Sequence, residues 1–222
     1  MFITQNMPKS KSMKDKTLLD EFVERSVPPE LLINYQRPNI QFIRQAKQLS
    51  KRTNEIVEIF ENFRDNLKIK DIRSASIRTG NGFFINTANF NIESFHRDNI
   101  VEVIDFDPVR NNMMLIGNEP PAPDAALHWF IYRGRQDING IINIENSTFS
   151  KQLSATGVPK VETNAPILDL ETAFQILKTV RSSTITLLDK SNILVLDRTL
   201  KDAYDSFVTN LKGQKVDKKK IK

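Results

Sequence analysis

Residues 121–145 read PAPDAALHWFIYRGRQDINGIINIE, and this stretch decides the fold. Pro123-Asp124 is a helix start: proline suits the first turn, and aspartate serves as a cap or as a first-turn acid. Ala125–Gly134 then carries good helix formers and three aromatics and closes on a glycine. Ile138–Ile144 is nearly all apolar and β-branched, the pattern of a strand buried on both faces. A helix feeding a fully buried strand predicts a layered α/β arrangement, with helices on both sides of a sheet.

The flanking sequence agrees. Ile72–Arg78, Gly82–Asn86, Ile100–Phe106 and Asn112–Ile116 are short β-branched or aromatic runs between Gly, Asn and Asp turns. They predict consecutive, mostly antiparallel strands. Gly80-Asn81-Gly82 resembles a phosphate loop only in its glycines, and a hairpin turn accounts for it. Thr184–Leu188 and Asn192–Leu196 predict two more strands around Asp189-Lys190-Ser191. Helices are predicted over Thr17–Arg25, Ser147–Thr156, Leu168–Arg181 and from Thr199 to about Leu211. From Asn39 to Lys68, apolar residues recur at three- and four-residue spacing, which predicts one long amphipathic helix bent near Thr53-Asn54. The expected whole is one α/β/α layered domain with a central mixed, largely antiparallel sheet. It spans 17–211, with a basic head at 1–16 and a lysine-rich tail at 212–222.

Composition removes several chemistries. The 222 residues include no cysteine, which excludes disulfides, thiolate nucleophiles and cysteine-held metal centres. The absence fits a cytoplasmic location, and no run approaches the roughly 20 apolar residues of a membrane span. The net charge is +5, but residues 1–16 carry +3 and residues 212–222 carry +5, which leaves the body at −3. The basicity sits in the ends and reads as solvating lysine; no Arg cluster or nucleic-acid signature accompanies it, so no specific nucleic acid and no membrane partner is expected. No Ser-His-Asp set, P-loop or dinucleotide fingerprint is legible.

Several blocks, in order, resemble the class II aldolase/adducin family: SASIRTGNGFFINTANF at 74–90, IVEVIDFD at 100–107, the opening stretch at 121–145, and LETAFQILKTVRSSTITLLDKSNILVLDRTLKDAYD at 170–205. The resemblance implies the family's fold and its usual homo-oligomer, a ring-like tetramer. It also implies site positions, and these depart from the family's pattern. The two strand histidines that hold zinc in the family fall on Asn143 and Glu145, and the third falls on Ser191. The acidic catalytic residue falls on Asp124. The substrate-binding positions fall on Ser76, Arg78, Asn86 and Asn89, with Arg78 as an anion anchor for a small anionic ligand.

Asn, Glu and Ser do not make a zinc set, which needs at least three good N or S donors. No zinc and no other cofactor is expected, although the oxygens of Asp124, Glu145 and Asn143 would suit Mg or Mn better than Zn. Only two histidines exist: His128, expected as a helix residue packed under the sheet, and His96, expected in a surface turn. Trp129 and Tyr132 are expected in the core and at subunit contacts. The expected protein is a zinc-free pseudoenzyme with a binding or assembly role. Asp124, Arg78, Asn143, Glu145 and Ser191 are expected to converge on one polar cleft open to water, suited to binding a ligand. The alternative is a divergent aldolase-type lyase or epimerase acting on a phosphorylated sugar, with Asp124 as acid/base and Ser76, Arg78 and Asn86 around the phosphate.

Overall fold

The computed structural model describes residues 38–44, 50–161 and 170–217. Among them, eight strands form one sheet: β1 (Asn39–Arg44), β2 (Ile72–Thr79), β3 (Gly82–Asn86), β4 (Ile100–Asp107), β5 (Asn112–Ile116), β6 (Gly140–Glu145), β7 (Ile185–Leu187) and β8 (Asn192–Asp197). Their order across the sheet is β1-β5-β4-β3-β2-β6-β8-β7. Only the β1–β5 pairing is parallel; the others are antiparallel. Five α-helices cover it: α1 (Thr53–Asn62), α2 (Ala125–Gly134), α3 (Ser147–Ser154), α4 (Leu170–Thr179) and α5 (Leu200–Asp217).

Strand alternation sorts the side chains into two cores. Ile85, Val103, Ile141 and Leu194 face α2 and α4, and they bury Phe130, Ile131 and Ile176. Ala75, Ile77, Ile142 and Val195 face the other way, onto Phe60 and Phe63 of the α1 segment, Leu153 of α3 and Phe207 of α5. The molecule is therefore three layers, helix–sheet–helix, as the sequence predicts. The buried strand inferred from Ile138–Ile144 is β6, which begins two residues later at Gly140. At that start the first turn of α5 lies directly on Gly140, where a Cβ would collide with the backbone of Leu200. The Gly80 turn does close a hairpin, with Thr79 opposite Gly82 and Gly80 at φ +53°.

The long helix expected over Asn39–Lys68 is not formed as one element. Asn39–Arg44 is instead the edge strand β1, in register with β5 from Asn39↔Asn112 to Arg44↔Ile116. Ile40, Phe42 and Ile43 are strand formers, and their three-residue spacing suits a short strand as well as a helix, so the pairing offered by β5 decides. The helix itself begins at Thr53, where a bend was expected. Ser50 closes that start by accepting from the Arg52 N–H and, through its carbonyl, from Thr53 Oγ1. A π turn, Phe63–Leu67, completes it, and Lys68 leaves it at φ +55°. Helix α5 runs to Asp217, beyond Leu211. The expected head 1–16, the helix Thr17–Arg25, and Ala46, Leu49, Leu168 and Asp169 lie outside the described residues.

Candidate functional site

Helix α2 presents Asp124, His128 and Tyr132 at four-residue intervals, one above the other on a single face. That face lies on β2, whose Ser74 and Ser76 share the same side of the sheet. Asn143 of β6 stands directly opposite Ser74 in the ladder. A helical i, i+4, i+8 column thus meets a strand i, i+2 row, and the product is a polar seam inside an apolar layer.

The seam is one continuous hydrogen-bonded chain. Asp124 Oδ2 accepts from Ser74 Oγ at 2.7 Å and from Asn143 Nδ2 at 2.7 Å. His128 Nε2 lies 3.0 Å from Ser74 Oγ and 3.5 Å from Asp124 Oδ2. His128 Nδ1 is 2.6 Å from Ser76 Oγ, which is in turn 2.8 Å from the Tyr132 hydroxyl. Ser74, Ser76, Asp124, His128 and Asn143 are all fully buried, at 0% exposure. Burial works to raise the Asp124 pKa. Attraction to His128 and hydrogen bonds from His128, Asn143 and Ser74 outweigh it, and hold the carboxyl well below the usual carboxylate range. Burial pushes the Tyr132 phenol well above its ordinary value, against the opposing effects of Ser76 and Arg78.

Two expectations change here. Asp124 occupies the N-cap position of α2, yet its side chain caps nothing; the carboxylate turns inward to β2 and β6. The expected cleft is also not open to water around Asp124 and Asn143, because α2 closes down on the sheet there. His128 is packed under the sheet as the sequence suggests. It is also the hinge of the polar chain, a role the sequence reading missed. The legible signal was the spacing Asp124-x3-His128-x3-Tyr132 set against Ser74-x-Ser76.

The remaining predicted positions lie elsewhere. Arg78 is at the far end of β2, where Nε donates to the Ile138 carbonyl and Nη2 to those of Tyr132 and Arg135. Asn86 continues the β2–β3 ladder with its side chain: Oδ1 accepts from the Ala75 N–H and Nδ2 donates to the Arg73 and Thr87 carbonyls. Asn89 is exposed, and its carbonyl accepts from Thr87 Oγ1. Glu145 ends β6 at the surface, 3.8 Å from Arg73. Ser191 bonds to Asp189, whose carboxylate closes the β7–β8 turn by accepting from the Ser191 and Asn192 N–H groups. Burial would raise the Asp189 pKa, but those bonds lower it overall. Asp124, Ser76 and Asn143 are thus brought together, and Arg78, Asn89, Glu145 and Ser191 are not part of that seam.

The zinc that the sequence resemblance implies can be tested against these side chains. Asp124 Oδ1 and Asn143 Oδ1 are buried with no hydrogen-bond partner in the protein. They are one carboxylate and one amide oxygen; Glu145 points to Arg73 and Ser191 to Asp189. Among the described residues no three His, Cys, Asp or Glu side chains are grouped to hold a metal ion. This donor set does not fit zinc.

Comparison with solved structures decides the architecture. An L-fuculose 1-phosphate aldolase superposes with a TM-score of 0.61 at 18% identity, over 75% of this chain and 84% of that one. The chain has the class II aldolase/adducin-like fold. YgbL of Escherichia coli, a putative aldolase/epimerase/decarboxylase, matches with a TM-score of 0.61 at 12% identity, over 74% of this chain and 86% of its own. The N-terminal class II aldolase domain of a conserved Thermoplasma acidophilum protein matches at 0.54 and 13% identity, over 76% and 94%. No protein-family profile matches this chain, and no curated protein matches it by sequence. The likeness is one of fold. Among the described residues no helix is long and apolar enough to cross a membrane.

Proposed function

We propose that this protein is a zinc-free pseudoenzyme on the class II aldolase/adducin-like fold, with a binding or assembly role. The observation that carries this reading is the state of Asp124. A general acid or base must come within hydrogen-bond reach of the substrate proton it moves. Asp124, the residue at the family's proton-transfer position, is fully buried and bonded to Ser74 and Asn143. Its lowered pKa also makes it a poor proton donor at neutral pH. Enolate stabilisation by zinc, the family's main lever, has no fitting donor set.

Assembly with copies of itself, a tetramer by the resemblance, is the form of this role that the surface favours. Among the described residues strand β1 is a sheet edge, and Phe42 and Ile43 on it are 42% and 52% exposed. Open edges with exposed apolar side chains are templates for a further strand. An antiparallel pairing of two β1 strands about their centre would set Ile40 against Ile43 and Arg44 against Asn39, with no like charges opposed.

The alternative, a divergent aldolase-type lyase or epimerase for a phosphorylated sugar, draws on one observation. The chain Tyr132–Ser76–His128–Ser74–Asp124 is a ready proton relay if α2 lifts from the sheet. The two readings separate in an assay of purified protein on several sugar phosphates with added Zn, Mn or Mg. The expected result is no turnover and no stoichiometric zinc by elemental analysis. Robust cleavage that Asp124→Asn abolishes, in a variant whose circular dichroism matches the parent, would overturn the non-catalytic reading.

A further inference from the structure

A second place in the molecule has the build of a ligand site, and it lies at the opposite end of β2 and β6 from Asp124. There, a cavity of about 410 Å³ opens between the starts of α1 and α5 and the β2–β3 turn. That volume is in the range of small-molecule sites. Ile77 and Leu200, both buried, supply apolar lining, while Gly80 leaves the hairpin side open, with no heavy atom within 4 Å of where a Cβ would stand.

The lining is rich in positive charge. Arg52, Arg78 and Arg198 border the cavity and Glu55 is the one carboxylate among them. Arg52 binds the Arg78 carbonyl through Nη1 at 3.1 Å and stands 3.6 Å from Glu55. Both members of that pair are about half exposed, so the pair is weak and exchangeable. The Arg78 guanidinium sits behind the wall, bonded to three backbone carbonyls rather than directly to a carboxylate, with Asp137 acting on it only at longer range. Arg198 is exposed; among the described residues its guanidinium makes no hydrogen bond and no close ion pair, and Asp137 attracts it only at longer range. The first turn of α5 adds little, because Asp202 already bonds to Thr199 there. The arginines carry the site.

Arginines that converge on a concave pocket with one carboxylate among them are arranged for an anion, since the planar guanidinium matches carboxylate and phosphate oxygens in paired hydrogen bonds. We propose that this cavity binds a small organic dianion, held between Arg52 on the α1 side and Arg198 on the α5 side with its carbon skeleton over Ile77 and Leu200. Organic phosphates and dicarboxylates share this chemistry. The two arginines that hold the ligand, Arg52 and Arg198, make no bond to the Asp124 seam, so the proposal stands or falls apart from the proposed function.

The test is isothermal titration calorimetry on the full chain at constant ionic strength, with glycerol phosphate, succinate and neutral glycerol as probes. Saturable binding of either anion, and not of glycerol, is expected, and the stronger anion identifies the ligand class. Arg52→Gln and Arg198→Gln, checked for fold by circular dichroism, are each expected to weaken binding about tenfold or more. If neither anion saturates, the proposal fails. It fails equally if the double variant binds as the parent does, because the lysine-rich tail would then account for the affinity.

Discussion

Truncating Asp124 to alanine tests the seam most directly. In the folded protein its Oδ2 accepts from Ser74 and Asn143 and faces His128 at 3.5 Å, all with no exposure to solvent. Alanine leaves Asn143 Nδ2 without its acceptor and removes the carboxylate opposite His128. Ser74 keeps its contact with His128 Nε2 at 3.0 Å, so that hydroxyl is not orphaned. Leaving a buried donor without its charged acceptor costs about 1–3 kcal/mol, the desolvation penalty of the group left behind. Set against a typical domain stability of about 5–15 kcal/mol, that is a large fraction. Urea unfolding at neutral pH should therefore show a midpoint below the parent's with an unchanged slope.

The pH dependence has a definite sign. The Asp124 pKa is lower folded than unfolded, so its contribution to stability is fully present above the ordinary carboxylate pKa of about 4 and is lost as pH falls below it. The parent should lose stability on acidification from about pH 4 downward, more steeply than Asp124→Asn, which has no carboxyl to titrate there. An alanine variant as stable as the parent would refute the reading, since even one ordinary hydrogen bond is worth about 1 kcal/mol. So would parallel pH profiles for the parent and the asparagine variant.

Other outcomes follow from packing and edges. Gly140→Ala places a methyl on the backbone of Leu200 and Thr199, which cannot swing aside as a side chain can, and should cost about 3 kcal/mol or prevent folding, read as the thermal midpoint. Phe42→Lys together with Ile43→Lys puts two charges on the β1 edge; light scattering should show the assembly falling to one chain's mass with the fold intact. A parent that already scatters as a monomer at micromolar concentration would count against self-assembly. Removing the Tyr132 hydroxyl with Phe takes one partner from Ser76 Oγ, which keeps His128, so a loss of only about 1 kcal/mol is expected by thermal melting.

The sheet was legible because its strands are short, β-branched and separated by turn residues, and because Ile138–Ile144 is nearly all apolar. The Asn39–Arg44 strand was not, since its partner β5 lies more than sixty residues on and six residues of ambiguous spacing carry no period of their own. The site was half legible for a related reason. Sequence position puts Asp124 at a helix start, where carboxylates usually cap. Whether the carboxylate caps or turns inward depends on what the sheet offers opposite it. Here β2 offers Ser74 and β6 offers Asn143, partners that are 50 and 19 residues away along the chain. Without histidines at 143 and 145 no metal-ligand spacing marked the place, and a serine and an asparagine in a strand announce nothing singly. Taken together they are the reason a charged residue can sit beneath α2 at all. A buried aspartate needs donors on the facing strands, and Ser74 and Asn143 are adjacent across the β2–β6 ladder. Reading the helix column 124, 128, 132 against the strand row 74, 76 would have found the seam before any coordinate did.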